Sequence, residues 1–301
     1  METDLSRLHP AKLTYRSRRL YGDLIIHLIV ASLALFCLLP LWLIVSASFS
    51  DEGDIARYGY ALFPRTFTTY AYNYVLKVPE QIIRAYGVTT FVTVVGTVLG
   101  MLVMTLLAFV LSRPNFRFRK ALSFYIFFTM LFNGGLVPWY IWLTQYLGLK
   151  DNIWALILPY LVIPWYVLLL RTYFSQLPED LLDAARIDGA SEWRIFFQIA
   201  IPMSTPALAT VGLFCILMYW NDWWLALLYI DNRNLHPLQY MLYNIMMNAR
   251  AMQASPQTTG ARLPVNTARM AMAVLASGPA VLVFLLVQRY FIRGITVGAL
   301  K

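Results

Sequence analysis

Long stretches without Lys or Arg constrain the fold of this chain more than any other feature. Six such stretches run along the sequence, at 24–48, 88–111, 121–143, 153–170, 206–229 and 270–288. A bilayer core of about 30 Å is crossed by roughly 20 helical residues, with about 17–25 tolerated, so each stretch is long enough to span a membrane. Lipid admits only helices and closed barrels, and the ten-residue alternation of a barrel strand is missing. The sequence therefore predicts an all-α integral membrane protein with six transmembrane helices.

Composition excludes an ordinary soluble enzyme. Of the 301 residues, 59% are apolar and 13% charged, whereas soluble domains have about 45–50% apolar and about 25% charged residues. The net charge of +9 comes without a basic stripe of interleaved aromatics, so membrane lipid and not nucleic acid is the predicted surrounding partner. Cys37 and Cys215 lie far apart in apolar stretches, which predicts buried hydrophobes and no metal or disulfide framework.

The distribution of basic residues predicts the orientation. Fifteen of the 24 Lys and Arg residues lie in the segments 1–23, 112–120, 171–205 and 289–301. Because cytoplasmic loops are enriched in these residues, both termini are predicted to be cytoplasmic. The first stretch exceeds the roughly 7–15 apolar residues of a secretory signal and is interpreted as an uncleaved anchor. The predicted divisions are a cytoplasmic segment 1–23, the first span with its outer loop 24–87, a core 88–293 and a cytoplasmic tail 294–301.

Glycine and proline residues occur at particular positions within the predicted spans. Gly96 and Gly100 have the spacing that lets membrane helices approach closely, although a pair facing lipid would have the same spacing. Pro279 predicts a bend in the last span, because proline lacks an N–H donor and clashes with the preceding turn. The run Asn-Gly-Gly-Leu-Val-Pro at 133–138 interrupts the third span, either as a broken helix or as an ordinary helix end.

The segment 175–205, on the predicted cytoplasmic side, contains two short helical patterns. Pro178 followed by Glu179 and Asp180 suits a helix start, and Gly189 suits its end. A second helix is predicted from a Ser191 cap to a stop at Pro202. The apolar faces consist of Leu182 and Ala185, with Leu181 and Ala184 beside them, in the first helix, and of Trp193, Phe196, Phe197 and Ala200 in the second. Such faces either pack on the chain's own helices or fit a groove of another protein.

The same segment resembles the EAA loop of ABC importer permeases, which reads E-A-A, three residues, G, and nine residues later I-x-L-P. The corresponding residues are Asp183-Ala184-Ala185, Gly189 and Ile199-Ala200-Ile201-Pro202. Asp183 and Ile201 are conservative departures from glutamate and leucine. The segment also holds five carboxylates against two arginines, which would suit a basic partner groove or a solvated loop.

Most of the chain is similar to the second permease subunit of carbohydrate importers, the MalG-like type, and to its LplC-like branch for complex oligosaccharides. It also resembles the permeases of bacterial alginate importers. Further residues that carry this resemblance are the run 133–138, Trp220-Asn221-Asp222-Trp223, Pro237-Leu238-Gln239, Gln288-Arg289-Tyr290-Phe291 and Gly294. The fold implied is that of a type I ABC importer permease with a cytoplasmic coupling-helix loop.

The resemblance implies a permease subunit of an ATP-driven oligosaccharide importer in the bacterial inner membrane. Its implied partners are a second homologous permease, two cytoplasmic ABC ATPase subunits and an extracytoplasmic solute-binding protein. No cofactor is implied for this chain, since ATP and Mg²⁺ would be bound by the ATPase. The implied ATPase-coupling residues are Glu179, Asp180, Asp183, Ala184, Ala185, Asp188 and Gly189. The first three would be polar contacts, the alanines would keep the docking face flat or would face the chain's own helices, and the glycine would allow the turn.

Asp222 is the one charged residue inside the six predicted spans. A carboxylate at a helix centre costs at least about 2.5–3.5 kcal/mol on insertion scales, so it should face a cavity or a partner. Indole rings stack on sugar rings, and amide or carboxylate groups bind hydroxyls. The sequence therefore predicts a substrate path along Trp220, Asn221, Asp222, Trp223 and Trp224. The alternative is an interfacial aromatic belt with a snorkelling aspartate.

No G-x-x-x-x-G-K-[S/T] loop occurs, so ATP hydrolysis is predicted to come from another subunit. The chain is not predicted to be an enzyme, because its three histidines are scattered and neither H-E-x-x-H nor G-x-S-x-G occurs. The alternative is a secondary transporter or channel subunit acting without an ATPase, which would show several midplane charges and an internal repeat. In the outer loop 230–269, an amphipathic helix at 237–247 either contacts a binding protein or caps the bundle.

Overall fold

The computed structural model describes residues 11–76, 79–254 and 264–298, and this part of the chain is almost entirely helical. Its one β pairing is an isolated bridge between Ser50 and Phe67. The α-helices are α1 Ala11–Ser48, α2 Glu52–Tyr58, α3 Tyr70–Val75, α4 Pro79–Ser112, α5 Arg119–Leu131, α6 Leu136–Ile141, α7 Pro164–Phe174, α8 Glu179–Ile187, α9 Glu192–Ile195, α10 Ile201–Met203, α11 Thr205–Asn221, α12 Trp224–Tyr229, α13 Leu238–Ala254 and α14 Val265–Gly298. Short π and 3-10 segments join several of them.

Three helices in the described ranges are long and apolar enough to cross a membrane, at Asp23–Ser48, Pro79–Ser112 and Val265–Leu286. Three bent pairs qualify as well, which gives up to six spans if each pair counts as one. Residues 11–74 with 264–274 form one compact unit, and the remaining described residues form another. The predicted divisions of the chain remain predictions. Cys215 is buried as predicted, whereas Cys37 is exposed on α1, as are most of the apolar side chains described between Leu24 and Trp42.

The third and fourth predicted spans are bent pairs, not straight helices. The third consists of Arg119–Leu131 and Leu136–Tyr146 at 113° to each other. Its break is closed by the Asn133 side chain, which accepts the N–H of Gly135, a residue with φ of +91°. The fourth begins as 3-10 turns and meets α7 at 46°, at Pro164, where the backbone lacks a donor. The run 133–138 thus forms a broken helix.

The fifth predicted span ends early. Helix α11 stops at Asn221, and α12 begins at Trp224, so Asp222 lies in the turn between two helices and not inside one. At its other end, α11 follows the helical run Glu192–Met203 at an angle of 82°. In the last predicted span, α14 continues through Pro279, and its predicted bend remains a prediction.

Gly96 and Gly100 of α4 face neighbouring segments and not lipid. A Cβ atom on Gly96 would lie 2.5 Å from Cζ of Tyr219, and one on Gly100 would lie 3.1 Å from the Leu161 carbonyl oxygen. The Tyr219 ring is held in place, because its hydroxyl donates to the Ile157 carbonyl at 2.9 Å. Glycine therefore permits the close approach of α4 to α11.

The larger unit has two apolar cores along α4. One contains Val92 together with Tyr219 and Tyr229, and the other contains Phe109 together with Phe174. The second core also includes residues of the segment 175–205, so that segment is built into the same core as α4, α7 and α11. This arrangement determines which of its apolar side chains remain outside.

Candidate functional site

The first half of the segment 175–205 is the short helix α8, which has acidic residues at its start and a glycine cap at its end. Glu179 and Asp180 occupy its first turn, where negative charge complements the helix dipole. At the other end, the Ala190 N–H donates to the Ala185 carbonyl at 2.9 Å, and the Gly189 N–H donates to the Arg186 carbonyl at 3.0 Å. This is the Schellman pattern, and Gly189 supplies its left-handed residue with φ of +79°.

Helix α8 has two apolar faces, one packed against the core and one exposed. Leu182 is 1% exposed and Ala185 packs against the same core. Leu181, Ala184 and Ile187 are exposed, Ile187 by 86%, and they follow one another at intervals of three residues. We call these three residues the outer stripe. The two alanines of the motif therefore separate, since Ala184 belongs to the outer stripe and Ala185 faces the chain's own helices.

The second half begins at Ser191, whose hydroxyl accepts the Arg194 N–H at 3.3 Å. The single apolar face predicted for this half is also divided, because some of its side chains are buried in the core and others are exposed. Phe196 and Ala200 are buried in the core, whereas Trp193 is 63% exposed and stacks on the exposed ring of Phe197 at 6.0 Å between centroids. Beyond Ile195 the helix widens into a π turn, and it continues through Pro202 to Met203, past the predicted stop.

Arg186 connects the two halves of the segment. Its guanidinium donates to Asp183 at 2.7 Å and to Glu192 at 2.9 Å. These carboxylates, Glu192 first, raise the pKa of Arg186 above its usual value. The other acidic side chains of α8 and its turn are exposed, and none of them forms an ion pair within the described residues: Glu179, Asp180 and Asp188. A row of free carboxylates therefore borders the outer stripe.

Sequence reasoning missed Arg113 as part of this site. Its guanidinium donates to the Phe174 carbonyl at 2.9 Å and lies over the Phe109 ring at 4.8 Å. Phe109 in turn contacts the rings of Phe174 at 5.8 Å and Phe196 at 5.1 Å. Arg113 and these three rings join the end of α4, the end of α7 and the second half of the segment. The only sequence signal was the basic loop that Arg113 begins.

The predicted substrate-path residues do not share one surface. Trp220 is buried, and its indole N–H donates to the Ala276 carbonyl at 2.9 Å. The Asp222 carboxylate accepts the Tyr160 hydroxyl at 3.1 Å and the Leu225 N–H at 3.2 Å, so it begins α12. Asn221 is exposed, and its side chain binds the Leu217 carbonyl and the Gln239 amide.

Trp223 and Trp224 do present aromatic surface. Trp223 is 36% exposed and Trp224 42% exposed, and their rings meet edge to face at 5.7 Å. One face of Trp223 is covered by Tyr243 of α13, at 4.5 Å between centroids. The amphipathic helix predicted at 237–247 is thus α13, and within this chain it supports the tryptophan pair.

A cavity of about 280 Å³ lies between α4, α11 and α14. Trp220 lines it together with Thr93 and Thr97. Both threonine hydroxyls are buried, and neither has a hydrogen-bond partner in the described part of the chain. Among the residues that the structure describes, no group of three or more His, Cys, Asp or Glu side chains is placed to hold a metal ion.

The chain is similar to known membrane transport proteins. Residues 94–297 match the family described as binding-protein-dependent transport system inner membrane component. The chain is 36% identical to the polygalacturonan/rhamnogalacturonan transport system permease protein YtcP of Bacillus subtilis, over 93% of this chain and 98% of that protein. It is also 36% identical to protein LplC of the same organism, over 88% and 89% of the two chains.

A solved structure is similar over nearly the whole chain. It is a chain of a bacterial ABC transporter involved in the import of the acidic polysaccharide alginate, with a TM-score of 0.76 and 29% identity. The match covers 92% of this chain and 98% of that one.

Proposed function

This chain belongs to the family of binding-protein-dependent transport system inner membrane components, and we propose that it transports an oligosaccharide. The observation that carries the proposal is its end-to-end similarity to permeases named for saccharide transport. The chain is a multi-pass inner-membrane permease subunit of an ATP-driven importer, and it is not an enzyme.

The permease works with a second permease, with ATPase subunits and with an extracytoplasmic solute-binding protein. We expect this chain to hold no cofactor, because ATP and Mg²⁺ would be bound by the ATPase. The excess of Lys and Arg in the segments 1–23, 112–120, 171–205 and 289–301 supports a cytoplasmic location for both termini.

The ATPase contact is proposed at the outer stripe of α8. Exposed apolar residues on a helix already packed on its other face are typical of a protein-binding surface. The stacked pair Trp193 and Phe197 extends this surface to the second half of the segment. The free carboxylates Glu179, Asp180 and Asp188 would meet basic groups of the ATPase. Asp183 would act mainly through Arg186, holding the two halves in register.

Movement of the ATPase would reach the membrane helices through the phenylalanine cluster. Phe196 of the segment touches Phe109 of α4, which also touches Phe174 of α7. Close-packed cores transmit displacement because they have few voids to absorb it. A shift of the segment 175–205 would therefore move α4 and α7 as a body.

For the cargo contact we propose Trp223 and Trp224, whose exposed faces can stack on sugar rings. Asp222 would act on them indirectly, since its carboxylate is already engaged in starting α12. Trp220 and Asn221 would support the same turn from α11.

Reconstitution in lipid vesicles tests the function. The chain, its partner permease, the ATPase and the binding protein should take up an oligosaccharide such as trigalacturonate only when ATP is present. Ile187→Glu, which places a charge at the most exposed residue of the outer stripe, should abolish association with the ATPase. Ser175→Glu adds the same charge outside α8 and should leave association intact. Uptake that continues without ATPase would instead identify a secondary transporter.

A further inference from the structure

A second cavity, of about 380 Å³, lies on the predicted outer side of the chain. Its walls are the first turns of α4, the 3-10 turn Arg233–Leu235 and helix α13. A volume of this size falls within the roughly 300–1,000 Å³ of small-molecule sites. None of the substrate-path residues predicted from the sequence lines it.

The lining of this outer cavity combines amide, imidazole and guanidinium groups. Gln81, Asn244 and Asn248 supply amides, and Arg233 supplies the charge. His236 contributes a ring nitrogen, Nε2, which is buried and has no hydrogen-bond partner among the described residues. Burial and the nearby Arg233 lower the pKa of His236, which keeps its ring neutral at neutral pH. Among the residues that the structure describes, no carboxylate lines the cavity.

The carboxylates close to the cavity in sequence already have partners. Glu80 pairs with Arg84 at 2.6 Å, and Asp231 pairs with Lys150 at 3.0 Å. Asp151 accepts the N–H groups of Asp231 and Asn232. Arg233 itself forms no ion pair within the described ranges. No carboxylate in the described part of the chain therefore pairs with its positive charge.

The walls of the cavity are fastened to one another. Arg84 of α4 donates to the Asn234 side chain, which follows Arg233 in the 3-10 turn. At the start of α13, the Leu238 N–H donates to the Thr89 hydroxyl of α4 at 2.8 Å. These bonds fix both sides of the cavity to α4, so the 3-10 turn that carries Arg233 is held in place.

We infer that the outer cavity binds the carboxylate-bearing sugar of an acidic oligosaccharide, a hexuronate unit, at the entrance to the permease. This inference rests on the proposed function. The guanidinium would form a charge-assisted hydrogen bond with the carboxylate, and the amides would bind ring hydroxyls. Ala85, Met241 and Ile245 line the remaining wall, against which the apolar face of a pyranose ring can pack.

The test compares an acid with its uncharged ester in the complete importer. Uptake of trigalacturonate or trimannuronate and of the corresponding methyl esters is measured in vesicles as a function of concentration. Arg233→Gln should raise the concentration of acid for half-maximal uptake by about tenfold, the usual scale of one charge-assisted bond, and leave the ester unchanged. Arg233→Lys should recover most of the loss. Arg65→Gln removes an arginine that lies over Tyr58 and not in the cavity, and should change neither substrate.

Three results would overturn the inference. If Arg233→Gln transports acid like the wild type, the cavity does not bind the carboxylate, although the proposed function stands. If the variant loses uptake of the acid and of the ester equally, and the binding protein stimulates ATP hydrolysis less, Arg233 instead contacts a carboxylate of the binding protein. If the wild type takes up no oligosaccharide at all, the proposed function fails and this inference fails with it.

Discussion

Replacement of Gly189 tests whether the turn between the two halves of the segment 175–205 positions the proposed ATPase contact. Gly189 has φ of +79°, and a Cβ atom there would meet nothing within 4 Å. The cost of Gly189→Ala is therefore conformational and not steric. A left-handed backbone costs an L-residue roughly 1–2 kcal/mol, and about 1.4 kcal/mol is a tenfold change in an equilibrium constant. If docking requires this turn, the dissociation constant for the ATPase should rise about tenfold.

A graded series separates backbone strain from side-chain size. Asn tolerates the left-handed region better than Ala, and a β-branched Val tolerates it least. Affinity for the ATPase, measured with the chain in lipid nanodiscs, should decrease in the order Gly189, Asn, Ala, Val. Gly212→Ala is the matched control, because Gly212 lies inside α11 with open space around it. That variant should bind normally.

Two outcomes would refute the reasoning about Gly189. If the Asn and Val variants lose the same affinity, the loss does not follow backbone strain. If the Ala and Val variants both bind the ATPase like the wild type, the docked segment does not use this turn.

Three further substitutions test packing and capping. Gly96→Ala should lower the free energy of unfolding by about 1–3 kcal/mol, because the new methyl group would overlap the held ring of Tyr219; a thermal midpoint equal to that of Gly212→Ala would contradict this. Glu52→Gln should cost about 1–3 kcal/mol, because the Glu52 carboxylate accepts four hydrogen bonds from Asn266 and Thr267 at the start of α14; unchanged hydrogen exchange there would count against it. Asp222→Asn should lose one of the two hydrogen bonds that the carboxylate accepts, which lowers the free energy of unfolding by about 1 kcal/mol. Uptake at a limiting oligosaccharide concentration should stay unchanged. Selective loss of uptake would instead place the carboxylate in contact with cargo.

Local signals in the sequence identified both ends of α8 and the Ser191 cap, but not the end of the second helix, which continues past Pro202. Pro178 and Gly189 bound α8 as predicted, and the glycines of α4 lie at a close helix approach. Breaks were harder to place. The bend before α7 and the stop at Asn221 interrupt stretches that are uniformly apolar, and hydropathy carries no information on backbone direction.

The candidate site was predictable in location but not in the direction of its side chains. Phe196 and Phe197 are chemically identical neighbours, yet one is buried in the core and the other is exposed. A sequence cannot separate these roles, because a helix face that binds another protein is as apolar as a face that packs against the chain's own core. Arg113 was missed for a related reason, since its partner, the Phe174 carbonyl, lies 61 residues away.

By itself, the sequence determined that this chain lies in a membrane as helices and that the segment 175–205 resembles the EAA loop of ABC importer permeases. Those features depend on local composition and on residues a few positions apart. Only the tertiary structure decided that Ala184 faces outward while Ala185 faces inward, and that the Asp222 carboxylate is already engaged. It also placed Arg233 in a cavity held to α4 by a contact that spans 150 positions between Arg84 and Asn234. Such contacts follow from how helices pack, which no short stretch of sequence encodes.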